Sequence, residues 1–397
     1  MSDTQKNKKP NVPNLRFPGF EGEWESRKIG EDCSVLMCKR IFANQTADQG
    51  DVPFYKIGTI GAEPDAYIPR ELFEEYKAKY NYPRKGEVMV TCAGTVGKTI
   101  VFDGADSYYQ DSNIVWLSNP KQLYINSFLN YFLSRVNWNK LNSTTITRIY
   151  NDNLRELVIK YPSVKEQEKI VSLLSLLDQR IAVQSKVIED LKKLKAALCT
   201  SLFSQGRTIS VALSDIGESF STMNLSKEDL TYSGVECILY GELFTTYGRV
   251  IKDVKSHTSI ETNGESTTSG LNDLLFPAST TVDAISLIAP SAISKTGVIL
   301  GGDMFGIRLN AKYNNRYMSN LLYHCYRREL ASYAQGSTII HIHYRDIERI
   351  KITVHPKNIQ DCIADILDLL DSRIENEQNT AAAYACQKAY LIGRLFI

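Results

Sequence analysis

Three short constellations in this chain of 397 residues have types that could do chemistry. The first is Thr91-Cys92-Ala93-Gly94-Thr95-Val96-Gly97-Lys98-Thr99, which comes close to a phosphate-binding loop. Such a loop needs glycine five positions before Gly97, where Cys92 stands, and a helix after the Lys-Thr pair whose N-terminus faces the phosphates. Thr99-Ile100-Val101-Phe102 is β-branched and aromatic, so the spacing predicts a turn between two strands. That turn offers glycine N–H groups, Thr95 and Lys98 to a backbone phosphate of DNA. The second constellation, Pro64-Asp65 followed by Glu75-Tyr76-Lys77, has the residue types of a metal-dependent nuclease, whose carboxylates converge on one ion from adjacent strands. Glu71 to Lys77 has helix-forming composition, however, and no counterpart later in the chain. The third is His341-x-His343, two rings on one strand face, as metal ligands can be. No acidic or cysteine partner is expected to complete a metal site with them, so a polar strand face or a phosphate contact is expected. Cys33 and Cys38, the closest cysteine pair, have no histidine nearby, and no metal is expected there. There is no dinucleotide fingerprint, no Asn-Pro-Pro-Tyr-type methyltransferase signature and no nucleophile elbow.

The elements around these residues read as short strands broken by turns. Pro53–Ile57, Gly86–Val90, Thr99–Phe102 and Asn113–Leu117 are strand-like, and a helix is predicted from Ser127 to about Arg135. Phe128, Leu129, Phe132 and Leu133 on that helix are answered by Tyr317, Met318, Leu321 and Leu322. Each stretch is followed by a hydroxyl-rich segment, Ser143 to Arg148 in one case and Ser337 to His343 in the other. Trp24 precedes Ile29-Gly30-Glu31 by five residues, as Val211 precedes Ile216-Gly217-Glu218.

The strongest repeat is helical. From Gln167 and from Gln360 the chain aligns with itself without a gap at an offset of 193, with 13 of 37 positions identical. Proline opens each copy, where a first helical turn tolerates it. Ile170, Leu174, Leu177, Ile181, Ile188, Leu191, Leu198 and Leu202 fall on one heptad stripe, interrupted by Gln184 and Lys195. Ile363, Leu367, Leu370, Ile374, Leu391 and Leu395 take the same places in the second copy, with Tyr384 opposite Leu177 and with Glu377 and Lys388 as the interruptions. Such a stripe on a polar helix needs a partner helix. An antiparallel pair centred on both copies places Gln184 beside Glu377, Leu177 near Tyr384 and Ile170 near Leu391. Forty residues of helix span about 60 Å.

Composition bounds the rest. The chain is 43% hydrophobic and 23% charged with net charge +1, so any nucleic-acid site is a local patch and not a bulk field. No apolar run reaches membrane-spanning length, the polar first residues are not a signal peptide, and the scattered cysteines suggest reduced thiols, together predicting a cytoplasmic protein without membrane contact. The expected fold class is α+β: a disordered tail (1–13), a globular domain (14–161), a long helix (162–205), a second globular domain (206–355) and a second long helix (356–397).

The doubled Gln-x-x-Ile…Leu-Leu-Asp-x-Arg-Ile helix, each copy following a hydroxyl-rich segment, resembles the specificity (S) subunit of type I restriction–modification systems. Asn14 to Phe20 before Trp24 is similar to the opening of Gram-positive members, and Ala93 to Gly97 resembles their glycine turn, with Ser294-Lys295-Thr296-Gly297 the nearest candidate in the second half. The resemblance implies two target-recognition domains that each read half of a bipartite, asymmetric double-stranded DNA target. The helices act as a coiled-coil spacer and dock two modification subunits, which two restriction subunits join. It also implies that S-adenosylmethionine, ATP and Mg²⁺ belong to those partners, leaving this chain without cofactor, metal or catalysis. The repeat gives the pseudo-two-fold symmetry on which two identical partners can dock. Residues expected near DNA are Thr95, Lys98, Thr144, Thr145, Thr147 and Arg148 in the first domain, and Ser294, Lys295, Ser337, Thr338, His341 and His343 in the second. The rival expectations are a nuclease built on Asp65, Glu75 and Lys77, and a coiled-coil scaffold with no DNA role.

Overall fold

The computed structural model describes residues 10–138, 148–260 and 268–397. The chain divides into two compact units, residues 1–183 with 380–397, and residues 184–379. The division passes through the middle of both long helices, so each unit holds a mixed domain and one half of each helix.

In the first unit Ser34–Leu36 (β1), Val88–Thr91 (β2), Thr99–Val101 (β3) and Ile114–Ser118 (β4) make an antiparallel sheet in the order β1-β4-β2-β3. β2 and most of β4 are buried at every position because both faces of the sheet are covered. Alternation sends Val88, Val90, Val115 and Leu117 into one core and Met89, Ile114 and Trp116 into another. The first core lies under the helix Asn126–Ser134 (α1) and takes in Trp24, Ile170 and Leu174, and also Leu395 and Phe396. Val52–Tyr55 forms a smaller sheet, antiparallel to Tyr67–Ile68 and parallel to Tyr108–Tyr109. Val164–Ser204 (α2) begins in this unit.

The second unit repeats the plan. Gly217–Ser221 (β5), Val250–Ile251 (β6), Asp273–Pro277 (β7), Ser291–Ile293 (β9) and Met304–Leu309 (β10) form a sheet in the order β5-β10-β7-β9-β6, while Ser279–Thr280 (β8) pairs with Ile340–His341 (β11). By neighbours β7 corresponds to β2, β10 to β4, β5 to β1 and β9 to β3. Val235–Leu239 pairs antiparallel with Ser256–Thr258 and parallel with Ile299–Gly301, as the smaller sheet of the first unit does. Asn315–Cys325 (α3) covers the core, with Tyr317, Met318 and Leu322 fully enclosed and Leu321 nearly so. The last helix is Lys357–Leu395 (α4).

Two glutamines join domain to helix in the same way. Gln167 accepts from the Ile125 amide at 2.8 Å and donates to the carbonyls of Leu123 and Pro162, each at 2.9 Å. Gln360 accepts from the Asn314 amide at 2.9 Å and donates to the carbonyls of His355 at 2.8 Å and Lys312 at 3.4 Å. Ile125 and Asn314 are the cap residues of α1 and α3, so each buried amide spends its donors and acceptor on a helix start and its own helix's entry.

The heptad stripe is the buried or half-buried face of both helices at all of its expected positions. In the first unit Ile170 and Leu391 pack into one core, Arg180 donates to the Tyr384 hydroxyl at 3.3 Å, one turn on from Leu177, and Lys388 meets Asp178 at 2.5 Å. In the second unit Gln184 is hydrogen-bonded to Glu377, as its heptad place predicts, and Lys195 meets Asp371 at 2.6 Å. The two lysine–aspartate pairs are one interaction made twice with the copies exchanged, since 178 + 193 = 371 and 195 + 193 = 388. The lysines that interrupt the stripe are thus the cationic halves of seam ion pairs.

The expected disordered tail needs correction over its described part. Pro13 is buried, and the Trp24 amide donates to Asn11 at 2.7 Å. Beyond it Arg16 grips Glu166 at 2.9 and 2.8 Å, and the Leu15 amide bonds the Arg394 carbonyl at 3.0 Å. The segment therefore straps the start of α2 and the end of α4 to the first unit.

Candidate nucleic-acid interface

The glycine turn stands between two antiparallel strands, as its residues predict. Thr91 closes it: its amide bonds the Lys98 carbonyl, its carbonyl accepts from the Gly97 amide, and its hydroxyl accepts from the Lys98 amide at 3.0 Å and donates to Thr95. Gly97 has φ +81°, and a Cβ there would overlap the Trp138 ring. The expected phosphate-facing role of this turn is corrected in two respects. The Gly97 and Lys98 amides are spent inside the turn, and the Lys98 ammonium donates back to the Ile60 carbonyl at 2.6 Å. Gly94 and Thr95 remain exposed at the tip.

Arg148 lies next to this turn. The following amide, of Ile149, bonds the Cys92 carbonyl at 2.8 Å, the Arg148 guanidinium stands 6.0 Å from the Tyr150 ring, and it reaches Ser112 at 3.5 Å. Thr144, Thr145 and Thr147 lie outside the described residues. The second unit makes the same junction 193 residues on: the Ile342 amide bonds the Ala278 carbonyl at 2.9 Å, placing His341 where Arg148 stands and His343 where Tyr150 stands. The His341 and His343 rings are 6.4 Å apart, and His341 Nδ1 is 3.7 Å from Asp303. Ser337 and Thr338 are exposed on a hairpin tip closed by reciprocal bonds between Gln335 and His341. Gly336 (φ +115°) makes that tip possible, since a Cβ would overlap the Ile339 carbonyl.

Ser294 and Lys295 are not the counterpart of the glycine turn. They follow β9, whereas the link equivalent to 92–98 is 278–290, between β7 and β9, which carries β8 and the short helix Ala284–Leu287. Lys295 is paired with Glu236 at 2.6 Å, and the Ser294 hydroxyl accepts from Asn315 at 3.2 Å. The Ser-Lys-Thr-Gly motif misled because the true link has lengthened and lost its glycines. Residues at the edge that sequence reasoning did not single out are Trp138, Ser279, Thr280 and Asp303, and it did not assign Thr91 its role in closing the turn. The 193-residue offset, carried from the helices back to 148–150, pairs these positions with 341–343 and so marks the equivalent junction in the second unit, but it does not reach the link residues themselves.

A sequence model of the family described as type I restriction modification DNA specificity domain matches residues 21–193 and again 210–383. The chain belongs to this family. Among relatives of this S-subunit family, a putative type I restriction enzyme specificity subunit of Haemophilus influenzae is 52% identical over 147 residues, 37% of this chain and 38% of that protein. The chain thus matches well under half the length of that relative. A putative MjaX specificity subunit of Methanocaldococcus jannaschii is 24% identical over 400 residues, covering 93% of this chain and 91% of that one. The fold is shared with the crystal structure of the S subunit from M. genitalium, at TM-score 0.62, 18% identity and coverage of 97% and 99%. It is also shared with a chain solved in work on complex assembly of the type I restriction–modification system, at TM-score 0.57, 13% identity and the same coverage.

The nuclease rival has no support. Asp65 pairs with Lys56 at 3.1 Å, Glu75 with Lys79 at 2.9 Å, and Lys77 with Asp106 at 3.1 Å, so the three belong to three separate ion pairs. Among the described residues no group of three or more histidine, cysteine or acidic side chains is arranged to hold a metal, and no helix is long and apolar enough to cross a membrane.

Proposed function

We propose that this chain is the DNA sequence-recognition subunit of a type I restriction–modification complex and has no catalytic activity of its own. One observation carries the reading: two units keep the same sheet order and the same glutamine clamp but differ at the strand ends. Where the first unit has a compact glycine turn, the second has a strand, a short helix and an exposed Val282. Common scaffolds with unlike reading edges suit two different half-sites, and hence an asymmetric target. Arg148, Thr95 and the hydroxyl-rich segment from 144 would serve the first half-site. His341, His343, Ser337 and Thr338 would serve the second. Phosphate contacts set register, and base-edge contacts set sequence.

The helices would set the spacing between half-sites and dock the partners. Leu176 and Leu369 occupy the same repeat position and are 55% and 73% exposed, so two copies of one apolar surface await two copies of one partner. Those modification subunits would hold the methyl donor, and restriction subunits using ATP and Mg²⁺ would join them, in the cytoplasm. The test is methylome sequencing of a host expressing the chain with its modification partner. Replacing residues 206–355 by the segment of a relative is expected to change one half of the methylated motif. A change in both halves, or no DNA binding by the chain with its partner, would reject the reading; the latter would favour the scaffold.

A further inference from the structure

A cavity of about 570 Å³ in the second unit lies between the helix pair and the loop leading into β6. It is lined by five cations, Lys192, Lys195, Arg249, Lys252 and Lys255, against three carboxylates. Two of the carboxylates are spoken for: Asp371 takes Lys195 at 2.6 Å, and Glu375 lies 3.9 Å from Lys252. Arg249 forms no ion pair among the described residues. Its backbone is fixed, with its carbonyl accepting from Ala292 at 2.8 Å and Ser319 at 2.7 Å. Its guanidinium lies 4.2 Å from the Tyr323 ring and gives one bond, 2.7 Å, to the Pro290 carbonyl. Arg327 stands 4.5 Å from the same ring, so positive charge is added and not cancelled. Burial lowers the Arg249 guanidinium to about 10, and burial followed by Lys195 and Arg249 pushes His324, also on the wall, down to about 4. A half-buried arginine that forms no ion pair among the described residues and gives one N–H to Pro290, in a cleft where cations outnumber carboxylates, keeps the rest of its donor fork for an acceptor from outside the fold.

We propose that this cleft binds a phosphate group through Arg249, with Lys192, Lys252 and Lys255 at its rim. The phosphate could belong to a free phosphate compound or to the DNA backbone; only the second source rests on the DNA-recognition reading above. The probe is inorganic pyrophosphate added to the full chain, with chloride at matched ionic strength as control. The expected result is a rise in melting temperature of about 2 °C or more over chloride, lost in Arg249→Gln and kept in Arg349→Gln, whose side chain is 94% exposed and outside the cavity. If the phosphate is DNA's, Arg249→Gln instead lowers the slope of log affinity against log salt by about one unit, and pyrophosphate competes with DNA. Lys252→Gln gives both readings should Arg249→Gln fail to fold. Equal effects of pyrophosphate and chloride, together with an unchanged salt slope, overturn the proposal, and with DNA binding intact they do so without touching the recognition reading.

Discussion

Gln167 is held on every polar atom of its side chain. Its amide makes three hydrogen bonds, and all three protein partners lose theirs if it is truncated. A buried polar group left unsatisfied costs about 1–3 kcal/mol, so Gln167→Ala is expected to destabilise the first unit by roughly 3 kcal/mol or more. Gln167→Glu should recover little, since a carboxylate cannot donate to two carbonyls. Urea unfolding followed by tryptophan fluorescence reads this, since Trp24, Trp116 and Trp138 all lie in the first unit; a loss of unfolding free energy below about 1 kcal/mol would mean the clamp is not needed. His324 makes a second prediction. Although the residue keeps an exposed edge, desolvation of its ring, with Lys195 and Arg249 nearby, lowers its value from an ordinary 6.5 to about 4. In that window the unfolded chain binds a proton that the folded chain refuses, so its contribution is present above about 6.5 and is lost as pH falls to about 4. His324→Asn should therefore flatten the pH dependence of stability between those values, measured as urea midpoints. The glutamines show how far sequence reading reached at this scale. Both were visible as repeat identities, but a hydrogen bond to a cap 42 residues upstream leaves no local pattern. The same holds for Lys98, whose inward bond to Ile60 depends on a loop that spacing does not place.

Between the helices, register was the most legible feature. Two polar interruptions at the same heptad place, Gln184 and Glu377, predicted their own contact, because an antiparallel pair of identical stripes brings equivalent positions together at its centre. Less legible were the flanking ion pairs, since a lysine inside an apolar stripe does not name its aspartate. Removing one partner is expected to cost more than removing both: Gln184→Leu should take from Glu377 its partner across the seam, leaving it the ion pair with Arg373, and destabilise by about 1–3 kcal/mol, whereas Gln184→Leu with Glu377→Leu should be near neutral. A double-mutant cycle by thermal unfolding measures the coupling, and additive effects would place the two side chains outside one another's reach. The strands were legible to within a residue or two because β2 and β4 are apolar runs bounded by turns. The second unit's reading edge was not, since the link 278–290 kept none of the glycines that marked its counterpart.

For the whole molecule, the domain order along the chain and the compact units in space differ. Residues 380–397 belong with the first unit, where Phe396 stacks 4.8 Å from Phe128 and lies 6.5 Å from Trp24. Phe396→Ala should therefore loosen a unit whose main segment ends more than 200 residues earlier in sequence, at a cost of about 3–5 kcal/mol, and leave the second unit intact. Hydrogen exchange, read separately over 10–183 and 184–379, tests it; equal loss of protection in both would show that the units do not unfold separately.

That arrangement sets a timetable for synthesis. The first unit leaves the ribosome with a groove in its core shaped for Leu395 and Phe396, while about 200 further residues are still to be made. At about 5–20 residues per second, the wait is on the order of 10–40 s. Throughout it the apolar floor around Trp24, Phe128 and Ile170 is open, a binding site for a holding chaperone and a mark for a protease. A message cut short anywhere in the second half thus yields a first unit that is never finished. Completion of the first unit's core is in this way a certificate that the second unit has been translated.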